Sequence, residues 1–411
     1  MSSSLGLFEA YGIELEYMIV DRSTLRVLPI CDQVIKTLSG KIKNEISMGE
    51  INISNELVLH VIEFKSNGPK KDLVKLASDF QYQINSVNQL LEATWNAQLL
   101  PTAMHPLMSP QKETRLWPHG QNTIYETYNR IFDCRGHGWS NLQSVHINLP
   151  FANDEQFGRL HAAIRIVLAL LPGLAASSPI VEGNITGKLD NRLVFYSQNQ
   201  RKIASIIGDI IPEKSFSKET YESIVFAPIK RDISPYDPDQ VLEEEWLNSR
   251  GAIARFDRGA IEIRLLDIQE SVPADFAIIS LVVSLVQSLV DGLWISYEKQ
   301  MTADEKVLKD IFLQCIESGG DTVIKNKFLL STFAQKEPLT VNELWQRILV
   351  KLKNNDYPVK NFSETIELIL KRDTLAKSIQ TTLGHAPSEA EIVETFKELA
   401  KCLSEGSIYG V

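Results

Sequence analysis

Gly12-Ile13-Glu14-Leu15-Glu16-Tyr17-Met18-Ile19 decides the fold. Ile13, Leu15, Tyr17 and Ile19 fall on one side of a two-residue period, and Glu14 and Glu16 fall on the other. Successive strand side chains point to opposite faces, so the stretch reads as a strand with one apolar and one acidic face. Three further segments repeat the pattern. Leu57, Leu59 and Val61 lead into Glu63; Val145, Ile147 and Leu149 oppose Ser144, His146 and Asn148; Ile261, Ile263 and Leu265 oppose Glu262 and Arg264. Asp257-Arg258-Gly259, between the apolar run 252–256 and the last of these, reads as a hairpin turn. The set predicts an α+β fold: an antiparallel sheet with helices on one face and a cleft on the other.

Helical periods lie between and after these strands. Asp72 opens one helix, in which Leu73, Leu76, Phe80, Ile84, Val87 and Leu91 recur at steps of three and four. Asn153 with Gln156 marks the start of a second. Thr302 with Glu305, Thr340 with Glu343, and Ser388 with Glu391 repeat the capping-box pattern. Residues 1–300 are therefore expected to form the α+β unit, and 301–411 a helical subdomain packed on it. The uncharged stretch 276–290 has Ser280, Ser284 and Ser288 every four residues. It is shorter than the ~20 residues of a membrane span and reads as a buried core helix.

The 411 residues exceed the usual domain of about 100–150. Net charge is −10 with no block of five or more Lys/Arg, which argues against a nucleic-acid partner. Cys31, Cys134, Cys315 and Cys402 lie far apart with no C-x-x-C pair, which suits a reducing cytosol. The first residues have neither the basic nor the apolar region of a signal peptide, so a cytoplasmic location is expected.

The loaded strand faces carry the chemistry. Glu14 and Glu16 project from one face roughly 6.5–7 Å apart. On a cleft face such carboxylates repel one another unless cations neutralise them, and hard ions such as Mg²⁺ take oxygen ligands of this kind. The bland alternative is a solvent-exposed sheet face. Glu262 with Arg264 reads equally as a salt bridge, and a strand His146 as structural. Glu56 and Glu63 are seven residues apart and would face opposite ways on a regular strand, so a turn or bulge near Ser54-Asn55 is required if both reach one cleft. The stretch 183–189 resembles a phosphate-binding loop but is one residue short and has Leu189 where Ser or Thr is needed. His161 falls mid-helix and reads as surface or structural.

Several segments, in order, resemble the second glutamate–cysteine ligase family, the carboxylate–amine ligases. Gly12-Ile-Glu14-Leu-Glu16 looks like its opening strand, and Glu56 through Glu63-Phe-Lys65-Ser66 like its second acidic strand. Thr102-Ala-Met-His105-Pro106 is similar to its T-H-P segment with one residue displaced. Ser144-Val-His146-Ile-Asn148 is similar to its H-x-H-x-G strand, with Ser144 for the first histidine and Asn148 for the glycine. Ser178-Pro179, Gly183, Thr186-Gly187 and Arg192 track a further stretch in which Asn191 replaces a tyrosine. Glu262, Arg264 and Asp267 match its E-x-R-x-x-D strand.

The resemblance implies a glutamine-synthetase-like fold: a curved antiparallel sheet with helices on its convex side, the active site on its concave face, and a C-terminal helical region. It implies ATP and two or three Mg²⁺ (or Mn²⁺) held by Glu14, Glu16, Glu56, Glu63, His146 and Glu262. Arg264 would stabilise the transferring phosphoryl, and Arg192 would contact substrate carboxylate or phosphate. Asn148 and Arg255 stand on the substrate side. The implied reaction is ATP-driven amide formation between small amino-acid substrates through an acyl phosphate, with glutamate and cysteine, the precursors in glutathione biosynthesis, as the default pair. A homodimer and no membrane or nucleic-acid partner are expected. The rival readings are a metal-dependent phosphohydrolase and a nucleotide-binding relative without ligase activity.

Overall fold

The computed structural model describes residues 5–120 and 122–410. Eight strands form one antiparallel sheet: β1 Gly12–Asp21, β2 Glu45–Met48, β3 Ile51–Asn55, β4 Val61–Ser66, β5 Ala97–Leu100, β6 Ser144–Pro150, β7 Ala252–Arg255 and β8 Ala260–Asp267. The order is β2-β3-β4-β1-β6-β8-β7, with β5 pairing the far end of β1. The central β1 thus meets β4 along one edge and β6 along the other.

The apolar side of this sheet faces helices. Ile13, Leu15, Tyr17 and Ile19 are fully buried in one core with residues of α1 (Leu73–Trp95), α2 (Asp154–Leu168) and α3 (Val272–Val290). Asp72 caps α1 by accepting from the amides of Val74 and Lys75, and Asn153 caps α2 by accepting from Gln156. Phe80 of α1 meets Phe276 of α3 with ring centroids 5.6 Å apart. Helix α3 is longer than the uncharged run alone, at 19 residues, because Val272, Pro273, Ala274 and Asp275 extend it. It is long and apolar enough to cross a membrane, yet 89% of its apolar window is buried inside the protein. Its serine stripe is satisfied internally: Ser280, Ser284 and Ser288 donate to the carbonyls of Ala277, Ser280 and Leu285 at 2.6–2.8 Å.

Two local expectations are corrected. Leu57 and Leu59 do not continue into the strand; β4 begins at Val61, and a turn precedes it. The backbone there bonds the segment 115–117 instead, through Leu59 N to Arg115 O and Trp117 N to Leu57 O. The helix Glu305–Ser318 is capped by Asp304, which accepts from Lys306 and Val307, while the Thr302 hydroxyl donates to Lys299 O. The capping boxes of Thr340 and Ser388 form as read. The last helix, Glu389–Glu405, places Ile392, Phe396 and Leu399 in a second core over Met18, Val20 and Leu100, so the far ends of β1 and β5 are also covered.

Candidate active site

The sheet register assembles the acidic side chains. Across β1, Glu16 lies opposite Glu63, and Glu14 lies opposite Lys65 on one side and His146 on the other. One row along, Gly12 faces Asn148, which in turn faces Glu262. Directly opposed residues share a face, so groups from β1, β4, β6 and β8 converge. Glu56 lies just beyond β3, and the turn before β4 returns the chain so that Glu56 and Glu63 meet. Oxygens of Glu16, Glu56 and Glu63 lie within 4.8 Å of one another, as do ligand atoms of Glu14, Glu63 and His146. Glu262 is 3.6 Å from His146 Nδ1 and belongs to neither trio. All of these groups line one cavity of about 920 Å³.

The electrostatics are unbalanced. Burial, then the charges of Glu63 and Glu16, push Glu56 well above the usual carboxylate range. Burial and the charge of Glu14 raise Glu63 to about 7. Glu14 behaves oppositely: burial works to raise it, but the hydrogen bond and charge of His146 outweigh that and bring it to about 2. Burial would lower His146, yet Glu14, Glu16 and Glu262 raise it to about 9. Lys65 stands 3.3 Å from Glu63, a cation at the edge of the three clustered carboxylates. Carboxylates that must hold protons near neutral pH mark a site short of positive charge. A hard divalent ion would supply that charge, and an oxygen-rich set with one imidazole fits the chemistry of Mg²⁺ or Mn²⁺.

The remaining polar groups are tied into the cluster. Ser144 donates to Glu16 Oε2 from its amide at 2.7 Å and from its hydroxyl at 2.8 Å, and the hydroxyl lies 3.0 Å from His146 Nε2. Asn148 donates to Glu14 Oε1 at 3.1 Å. It fits because Gly12 opposite has no side chain; a Cβ there would stand 3.0 Å from Asn148 Cβ. Arg264 donates to Glu262 Oε1 at 2.5 Å, and Arg255 Nη1 is 3.8 Å from Glu262 Oε2. Arg192 also borders the cavity but is 2% exposed and pairs with buried Asp267.

Other segments singled out in the sequence lie elsewhere. His105 is buried with Nε2 against Leu25 O at 2.6 Å, and His161 is buried and stacked on Phe157. The stretch 183–189 begins at the turn of a two-stranded hairpin, Ile180–Val181 with Asn184–Ile185, and none of it lines the cavity. Sequence reasoning assigned no role to Lys65 or to the aromatic wall of Tyr125, Tyr128, Trp139, Tyr196 and Trp246. A signal existed for part of that wall: Tyr125 and Tyr128, with Phe132 beyond the cavity, recur at steps of three and four in the helix Asn122–Phe132.

Comparison with known proteins fits this geometry. An uncharacterised protein of Archaeoglobus fulgidus is 29% identical over 401 residues, covering 97% of this chain and 99% of that protein. A putative glutamate–cysteine ligase 2 of Bradyrhizobium sp. is 26% identical over 68% of this chain and 62% of its own length. Among solved structures, the glutamate–cysteine ligase of Francisella tularensis in complex with AMP superposes with a TM-score of 0.58 at 12% identity, covering 96% of this chain and 88% of that one. A bifunctional glutathione synthetase of Pasteurella multocida gives 0.54 at 13% identity, covering 96% of this chain and 52% of that one. These two likenesses carry the fold alone. The sequence itself carries more: residues 10–310 match glutamate–cysteine ligase family 2, and the chain belongs to that family.

Proposed function

We propose that the chain is an ATP- and Mg²⁺-dependent carboxylate–amine ligase, with its active site on the charged, concave face of a curved sheet. The observation that carries this reading is the convergence of Glu14, Glu16, Glu56, Glu63 and His146 on one cavity with too little positive charge to balance them. Glu14, Glu16, Glu56, Glu63, His146 and Glu262 would hold two or three divalent ions. Bound there, the ions neutralise the phosphates of the nucleotide and orient the γ-phosphoryl.

The chain's own groups do the rest. Arg264, braced by Glu262, would bind phosphoryl oxygens as charge spreads over them. Transfer of the γ-phosphoryl from ATP to a substrate carboxylate would give an acyl phosphate and release ADP. The amine lone pair would then attack the acyl carbon, phosphate would leave carrying the proton the amine sheds, and an amide would remain. Asn148 and Arg255 border the same cavity and would orient the substrates. Glutamate with cysteine is the family's pair and the first to test. The cytoplasm and a homodimer are the expected setting, and light scattering reads the latter.

The decisive experiment is phosphate release from ATP across a panel of amino-acid pairs, with products identified by mass. A ligase turns over fast only when an acid and an amine are both present, and the product mass equals their sum less water. Rapid ATP hydrolysis with no amine would instead identify a phosphohydrolase, and no turnover with tight nucleotide binding a non-catalytic relative.

A further inference from the structure

The helix Asn191–Tyr196 holds Arg264 at two points. Arg192 Nη1 donates to the backbone carbonyl of Arg264 at 3.4 Å. One turn further on, the Tyr196 hydroxyl accepts from Arg264 Nη1 at 3.4 Å. Residues four apart share one face of a helix, so both grips come from the same side. Tyr196 donates its own hydroxyl proton to Ser249 O at 2.8 Å, which leaves its oxygen free to accept from the guanidinium.

The strand is irregular where this carbonyl is held. The register passes from Ile263 opposite Ile147 to Leu266 opposite Val145, so Arg264 and Leu265 together face His146. A bulge of this kind interrupts the ladder and re-aims a side chain. Arg192 is itself anchored by Asp267, three residues beyond Arg264 on the same strand. Asp267 takes the Arg192 Nε at 2.5 Å, the Ser177 amide at 2.8 Å and the Ser178 hydroxyl at 3.1 Å. Arg192 Nη2 is the nitrogen left over, and it is buried away from solvent.

Resting on the ligase reading, we infer that Arg192 and Tyr196 are positioning residues that aim Arg264 across the bulge, and that Arg192 acts through Arg264 rather than on substrate. Asp267 fixes the clamp. The strand that carries the phosphoryl-binding arginine thereby also carries the carboxylate that sets its aim.

Two variants of the full chain test this. Arg192→Lys keeps the charge beside Asp267 but loses the fork that spans Asp267 and the Arg264 carbonyl. The expected result is a kcat lowered about 10- to 100-fold, the scale of a small misplacement of a reacting geometry. The KM values for ATP and both substrates should stay unchanged. Combined with Arg264→Lys it should cost no more than Arg264→Lys alone. Tyr196→Phe should give a smaller kcat loss that is equally non-additive, and it carries the test if Arg192→Lys fails to fold. A raised KM for the carboxylate substrate, or multiplicative losses in the double variant, would overturn the inference. Crystal structures of the same variants read the clamp without activity: the Arg264 guanidinium should leave Glu262, and an unmoved Arg264 defeats the clamp. A wild type that ligates nothing would defeat the ligase reading alone, with the crystallographic arm still standing.

Discussion

The two faces of β1 treat polar groups in opposite ways. Toward the helices, Ile13, Leu15, Tyr17 and Ile19 are fully buried among apolar side chains. Tyr17 donates to Asp275 at 3.5 Å, Asp275 accepts from the Gln269 amide at 2.8 Å, and burial holds that carboxyl well above its usual range. Toward the cavity, Glu16, Glu56 and Glu63 crowd one another beside a single lysine. One face is filled by the chain's own apolar groups; on the other, buried carboxylates crowd together. A protein tolerates the second arrangement only where function repays the lost stability.

Variants on each face should separate stability from activity. Leu15→Ala, on the apolar face, should cost about 2–5 kcal/mol of unfolding free energy, measured by urea titration, with kcat per folded molecule near wild type. Arg264→Lys, on the charged face, should do the reverse. It should lower kcat about 10²–10³-fold, or ~2.7–4 kcal/mol of transition-state stabilisation, with a small change in the ATP KM. A drop in melting temperature with kcat unchanged would reduce Arg264 to a salt-bridge partner of Glu262. Glu63→Gln sharpens the contrast. It should slow turnover by at least the about 10–100-fold typical of damage around a metal site. At pH 8 without divalent ions it should nevertheless raise the melting temperature, because a crowded charge is gone. A lowered melting temperature under those conditions would show that Glu63 is structurally paired after all.

The smallest effect concerns pH and three buried histidines outside the acidic cluster. Burial pushes His161 down to about 3, and His60 and His105 to about 4. The unfolded chain takes up these protons near 6.5 and the folded one does not. Stability therefore rises with pH in this window, is full above about 6.5, and drains away as pH falls toward 4. His161→Leu should make the urea midpoint less steep between pH 6.5 and 4. An identical slope in the variant would mean that His161 titrates normally.

Much of this contrast was legible in sequence. The alternation over Ile13–Tyr17, in β6 and over Ile261–Leu265 is regular, because one face there packs on the helices and the side-chain period of two shows through. The caps at Asp72 and Asn153 were legible because an N-cap side chain bonds its own helix. What escaped depends on distant partners. The Glu56–Glu63 spacing called for a turn near Ser54-Asn55, but the bonds from Leu57 and Leu59 to residues 115–117 that set it left no mark in the leucine alternation. The bulge at Arg264 leaves an unbroken Ile261-Glu-Ile263-Arg-Leu265 pattern, so the grip of Arg192 and Tyr196 could not be foreseen. Strand β3 had a signal in Ile51-Asn-Ile53-Ser, but its Ser54, and Glu45 opposite it on β2, only gain meaning beside Glu63.

The central claim is that the charged face of β1 is completed by divalent cations, and Mn²⁺ tests it with its anomalous scattering. Crystals soaked with Mn²⁺ and a non-hydrolysable ATP analogue should show peaks between Glu14, Glu63 and His146 and between Glu16, Glu56 and Glu63, with the triphosphate lying against them. Peaks confined to the protein surface, or none at all with those five side chains turned into bulk solvent, would contradict it.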